Sequence, residues 1–194
     1  MSSLDDSTPP TSARLSRPMS GPIDLHTFSL VVRDRPGVLV RIALVFSRRG
    51  FNIESLAVSP GRIEGFARMT IVSRGAPVTV EQINKQLAKL VDVVFVTDHA
   101  GELPPVEAEV ALLKVRVTSE AEKKALLGRL ERHRTRVLDE TNGSLVLLGE
   151  GTSDEIDALF EAVDPLPLEE MIRTGKIVMD RGASRFAHLL GRHR

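Results

Sequence analysis

The stretch His26-Thr-Phe-Ser-Leu-Val-Val-Arg33, followed by Asp34-Arg35-Pro36-Gly37 and then Val38-Leu-Val-Arg-Ile-Ala-Leu-Val-Phe-Ser-Arg-Arg49, decides the fold. Phe28, Leu30 and Val32 alternate with smaller or polar residues, which predicts a strand with one buried face. Asp34-Arg35-Pro36-Gly37 is a turn-forming cluster. Beyond it Val38, Leu39, Ile42, Val45 and Phe46 recur at three- and four-residue spacing, while Arg41, Arg48 and Arg49 fall on the other side, as on a helix with a solvated basic face. Gly50 can end that helix because it takes a left-handed conformation without a Cβ clash.

Working outward, Phe51–Val58 reads as a second strand with Ile53, Leu56 and Val58 as its apolar positions. Ser59-Pro60-Gly61 breaks it, and 61–65 make a hairpin loop. Phe66–Val72 is a third strand, but Phe66 is out of phase with Met69 and Ile71, which leaves its register at a sheet edge open. Val80, Ile83, Leu87 and Leu90 form the stripe of a second helix with Thr79 as its expected N-cap, and Val91–Val96 is a fourth strand. The order β-α-β-β-α-β predicts a ferredoxin-like unit, with two helices on one face of a four-stranded antiparallel sheet. Nothing in this order covers the other face, so it is expected to be solvated or to meet another subunit or a ligand.

After Gly101-Glu-Leu-Pro-Pro105 the order recurs. Val110–Val117 reads as a strand, Glu120–Glu131 as a helix with Ala125, Leu126 and Leu130 inside, and Asn142-Gly143 as a hairpin turn between Arg136–Asp139 and Leu145–Leu148. Thr152 or Ser153 caps a helix bearing Ile156, Leu159, Phe160 and Val163, and Leu168–Arg173 is a last strand that Lys176–Met179 extends. The predicted class is α+β, two tandem ferredoxin-like modules. The predicted organisation is a disordered leader over 1–24, a first module over 25–100, a linker over 101–106, a second module over 107–182 and a basic tail over 183–194. The leader is expected because residues 1–22 include twelve Ser, Thr or Pro, with Asp5 and Asp6 where a signal peptide would be positive.

Composition excludes several functions. Lys plus Arg equals Asp plus Glu at 26 each, so there is no basic surplus for nucleic acid. The absence of Cys removes thiolate nucleophiles, disulfides and zinc-thiolate sites, and the absence of Trp and Tyr leaves little for base stacking. No apolar run approaches the roughly 20 residues that span a bilayer. A cytoplasmic protein is expected. His26, His99, His133, His188 and His193 are scattered without metal-ligand spacing. Gly149-Glu-Gly-Thr152 lacks the third glycine and the lysine of a phosphate loop, and reads as a strand end plus a helix cap. Glu169 and Glu170 are adjacent in a strand and point to opposite faces. No catalytic or metal-binding residue is therefore assigned.

The turn is different in kind. Pro36 fixes φ, Gly37 admits close approach, and the helix head offers the N–H groups of Val38 and Leu39 to an anion. Asp34 is positioned to accept hydrogen bonds from an ammonium group, so the turn suits a free α-amino acid. Turn chemistry alone favours the plainer reading, in which Asp34 caps the helix and Gly37 completes the turn. Asn52, beside Phe51 and Ile53, either closes the polar end of such a site or bonds a neighbouring loop.

Arg33-Asp-Arg-Pro-Gly-Val-Leu39, Phe46-Ser-Arg-Arg-Gly-Phe-Asn-Ile-Glu-Ser-Leu56, Arg68-Met-Thr-Ile71 and Gln82-Ile-Asn-Lys-Gln-Leu-Ala-Lys-Leu-Val-Asp92 closely resemble the regulatory (small) subunits of acetohydroxyacid synthase, also called acetolactate synthase. The likeness continues through Val137-Leu-Asp139, Gly151-Thr-Ser153, Asp157-Ala158, Arg173-Thr-Gly175 and Arg181-Gly182. The resemblance implies an N-terminal ACT domain that binds a branched-chain amino acid, usually valine, at the interface of a homodimer. It implies the effector residues Asp34, Gly37, Val38, Leu39, Asn52 and Ile53, with Asp34 standing where many members carry Asn. It implies a catalytic large subunit as partner, which holds thiamine diphosphate, magnesium and FAD, none of them bound by this chain. A free-standing ACT sensor serving another enzyme is the alternative. An RNA-recognition module shares the element order, but Leu30, Val32, Met69 and Ile71 stand where it would need aromatics.

Overall fold

A computed structural model describes residues 24–99 and 104–182. The expected leader and tail lie outside these residues, apart from Asp24. The first module runs β1 (Asp24–Arg33), α1 (Val38–Ser47), β2 (Ile53–Pro60), β3 (Phe66–Gly75), α2 (Pro77–Leu87) and β4 (Val93–Asp98). Its sheet has the order β2-β3-β1-β4. The second runs β5 (Val106–Arg116), α3 (Glu120–Leu130), β6 (Thr135–Thr141), β7 (Ser144–Gly151), α4 (Ser153–Val163) and β8 (Leu168–Arg173), with the matching order β6-β7-β5-β8. A short β9 (Ile177–Met179) pairs with the start of β5, Val106 opposite Met179. Both modules are thus ferredoxin-like, as expected.

Each core forms between a sheet and its two helices. In the first, Phe28, Leu30 and Val32 of β1 meet Ala67, Met69 and Ile71 of β3, and Val38, Ile42 and Phe46 of α1 close over them with Val80, Ile83 and Leu87 of α2. Phe28 and Phe46 pack edge-on, centroids 5.6 Å apart. The second is built from Ala111, Leu113 and Val115 of β5, Leu145 and Leu147 of β7, Leu126 and Leu130 of α3, and Ile156, Leu159 and Val163 of α4. Asn142 and Gly143 both take positive φ, as the predicted hairpin turn requires. Thr152 caps α4 in a capping box with Glu155.

Five expectations need correction. β3 is an interior strand, paired with both β1 and β2. α2 starts at Pro77 with Ala76 as its N-cap, because proline's fixed φ suits a first turn, so Thr79 lies inside the helix. Ala125 is exposed, leaving Leu126 and Leu130 as the buried side of α3. β9 is not an extension of β8: Gly175 at φ 71° turns the chain between them. The far face of the first sheet is not open.

That last point shapes the molecule. Ser29 is fully buried and Thr70 is 4% exposed, although both lie on the face away from the helices. The second module lies over this face. Arg68 of β3 donates to the Val178 carbonyl of β9 at 3.0 Å. His99, just after β4, sits 2.8 Å from Ser29 Oγ through Nε2 and 3.3 Å from Asp180 through Nδ1.

Candidate functional site

The head of α1 is built by a tight turn. The Val38 N–H donates to the Arg35 carbonyl at 3.3 Å, with Pro36 and Gly37 between. Gly37 has φ 83° and ψ −4°, the geometry of the third residue of a type II turn, which a side chain strains. Gly37 is also the N-cap, and its carbonyl accepts the first helical bond from Arg41 at 3.1 Å. No side chain caps the helix, so the plainer reading of Asp34 as a cap does not hold. The Asp34 backbone N–H donates to Gly65 at 2.8 Å, and the residue is exposed. Of the N–H groups expected to be unpaired, that of Val38 is engaged in the turn. Those of Leu39 and Val40 have no acceptor within the helix and point out of its positive end.

The structure adds a residue that the sequence placed on a solvated face. Arg41 lies one helical turn after Gly37, with Nη1 3.3 Å from where a Cβ on Gly37 would stand. Its other nitrogen bonds Asp92 at 2.5 Å. A cation is therefore held beside the helix head. The i, i+4 spacing from Gly37 is the one signal that points to it.

Val38 is buried in the core, whereas Leu39 is 41% exposed. Leu39 lies about 200° around α1 from Arg41, so it faces away from α2. Asn52 is exposed, and its carbonyl accepts from Ser73 Oγ at 2.7 Å, which ties the start of β2 to β3. Ile53 is half-buried against the first core.

These residues form two groups. β1 and β2 both run antiparallel to β3, with Ser73 opposite both His26 and Ile53 and Ala67 opposite both Val32 and Pro60. Asn52 and Ile53 therefore stand at the end of the sheet where β1 begins. Asp34, Gly37 and Leu39 stand where β1 finishes. The ten-residue α1 spans about 15 Å between them. One chain does not bring the two groups together.

Elsewhere the geometry speaks of structure. A Cβ on Gly149 would fall 2.2 Å from Leu159 Cδ2, so the glycine is there for packing. Glu169 binds Arg116 and Ser144. Burial pushes the Glu109 carboxyl up, but two hydrogen bonds from Arg173 and one from Ser153 outweigh it and hold it below the usual carboxylate range. Among the described residues no group of three or more His, Asp or Glu is placed to hold a metal ion. No helix among them is long and apolar enough to cross a membrane.

Residues 28–95 match the AHAS small subunit-like ACT domain, and residues 108–182 match the family described as small subunit of acetolactate synthase. A probable acetolactate synthase small subunit of Methanothermobacter thermautotrophicus is 40% identical over 160 residues, covering 82% of this chain and 95% of that one. The chain belongs to the acetolactate synthase small-subunit family. Its first module is the ACT domain of these regulatory subunits, which serve branched-chain amino-acid biosynthesis. The acetolactate synthase small subunit of Mycobacterium leprae is 38% identical over 81% of this chain and 92% of its own length. The crystal structure of the Thermotoga maritima small subunit superposes with a TM-score of 0.75 at 35% identity, covering 83% of this chain and 99% of that one.

Proposed function

We propose that this chain is a non-catalytic feedback sensor. It binds a branched-chain amino acid, valine first among them, between the ACT domains of a homodimer. It thereby modulates a thiamine-dependent catalytic subunit that condenses pyruvate to 2-acetolactate. Thiamine diphosphate, magnesium and FAD belong to that partner, and the complex works in the cytoplasm.

The observation that carries the reading is the separation of the two groups of site residues. Among the described residues β2 is an edge strand, with β3 on one side only. Antiparallel pairing of two β2 edges places Asn52 and Ile53 of one copy beside the Asp34–Leu39 turn of the other. The α-carboxylate then meets the free N–H groups of the helix head and the Arg41 cation. The ammonium meets Asp34 and the Asn52 carboxamide. The aliphatic side chain meets Leu39 and Ile53. An isologous contact of this kind makes two equal sites.

A thermal-shift panel of Val, Leu, Ile and unrelated amino acids, with the oligomeric state measured alongside, tests the sensing half. A dimer stabilised selectively by a branched-chain amino acid is expected. A monomer with no selective shift would overturn it. Affinity purification tests the partner: recovery of a thiamine-dependent large subunit is expected, and its absence favours a free-standing ACT sensor.

A further inference from the structure

We propose that the contact between Ser55 of β2 and Gly175, in the turn from β8 to β9, relays ligand occupancy from the ACT domain to the second module. The inference rests on the sensing function proposed above and assigns the route of its output. Ile53, directly after Asn52, opens β2, and Ser55 is two residues further along the same strand.

The contact is unusually close. A Cβ built on Gly175 would lie 2.5 Å from Ser55 Cβ and 2.7 Å from its Oγ, closer than real Cβ atoms come. Gly175 also has φ 71°, which favours glycine. The turn backbone thus packs straight onto the strand.

The two sides differ in stiffness. On the β2 side, Ile53 pairs with Ser73 but Ser55 pairs with Val72, so the register slips across Glu54 in a bulge. A bulge interrupts the ladder and lets the strand bend. On the other side the turn is braced by β5 and α4. Arg173 binds both oxygens of the buried Glu109, at 2.8 and 2.9 Å, and Asp157 of α4 at 2.6 Å. The Thr174 N–H donates to Val110 at 3.0 Å, and Lys176 reaches Glu107 at 3.2 Å. A shift of β2 at its bulge therefore moves the turn, α4 and β9 together. Arg68–Val178 and His99–Asp180 also join the modules, but from β3 and the end of β4, not from the strand that carries site residues.

Coupling requires that the ligand favour one of two arrangements of this joint. The test uses the full chain with its catalytic partner, and reads ligand affinity by calorimetry apart from the response of enzyme activity to the same ligand. Gly175→Ala drives a methyl group into Ser55. Ser55→Val crowds the joint from the strand side without backbone strain, and serves if the first variant does not fold. Each is expected to bind valine within about twofold of the unmodified chain, while the concentration needed for half response rises at least tenfold or the response disappears. Ser55→Gly is expected to restore the response of Gly175→Ala, which mere loss of stability does not predict. A folded variant that responds like the unmodified chain, or a double variant that stays uncoupled, overturns the relay. An unmodified chain that binds no branched-chain amino acid overturns the sensing reading instead, and the relay with it.

Discussion

The Arg41 guanidinium stands 3.3 Å from the point where a side chain on Gly37 would begin. The glycine and the cation occupy one corner, with Asp92 holding the far side of the arginine. Gly37→Asp would fill that corner with a carboxylate that Arg41 attracts, and so displace the ligand carboxylate. Its backbone cost must be separated, since a left-handed conformation costs a non-glycine residue roughly 1–2 kcal/mol. Gly37→Ala is expected to lose that much stability but less than tenfold in affinity, because only the flexible arginine tip is near. Gly37→Asp is expected to abolish binding. Calorimetry with valine, beside urea titration of both variants, distinguishes the two effects.

Arg41→Gln removes the cation and keeps the helix. About half of the side chain is solvated, so little stability is lost. Valine affinity is expected to fall about tenfold, with a smaller salt dependence than the unmodified chain shows. Equal affinity and an equal salt slope would remove Arg41 from the site.

Asn52→Ala leaves the bond to Ser73 in place, since the backbone carbonyl is what accepts it. The exposed side chain can then be lost within about 0.5 kcal/mol of stability. A clear drop in ligand affinity with an unchanged melting temperature is the expected result. Unchanged affinity would return Asn52 to a purely local role.

Gly149→Ala tests the packing account of the glycines before α4. The added methyl group overlaps Leu159 Cδ2, and overpacking of this kind costs typically 1–3 kcal/mol. Thermal melting should drop by several degrees, with no change in phosphate affinity. A neutral outcome would reopen the phosphate-loop reading.

The Glu109–Arg173 pair makes a pH prediction. The folded carboxyl titrates below its unfolded value of about 4.3. Its contribution is therefore fully present above that value and is lost as pH falls through the lower, folded one. Glu109→Gln should be less stable than the unmodified chain at pH 7, because Arg173 loses the buried one of its two carboxylate partners and keeps only Asp157. The gap should narrow in urea titrations as pH drops below about 4. A gap that stays constant would mean that the pair contributes nothing through its charge.

Much of this was legible from periodicity. Phe28, Leu30 and Val32 marked β1, and the 3.6-residue stripe marked α1, because one side of each meets a core. β3 resisted the same reading for a physical reason. Ala67 to Ser73 are buried on both faces apart from Arg68, since the second module lies on the side that the topology alone leaves bare. Phe66, half-buried at the start of the strand, lies on that covered face with Arg68 and Thr70, so an apolar residue stands out of phase with Met69 and Ile71. β9 has three residues, too few for any period. The turn at 34–37 was legible as chemistry because proline and glycine carry their own geometry. Arg41 was not, since a helix-face arginine looks alike whether it meets water or a site. The separation of Asn52 from the turn emerges only when strand order is known.

The pairing of β9 with β5, on the face where Arg68 reaches Val178, bears on protein engineering. ACT domains invite use as interchangeable cassettes, cut at a linker and fused to a new output. Here residues 24–99 are upholstered by a strip of backbone that arrives some eighty residues later. A graft ending at the linker would expose Ser29 and Thr70 and remove the Val178 carbonyl to which Arg68 donates. A working chimera would have to carry Ile177–Met179, or a substitute strand, along with the sensor.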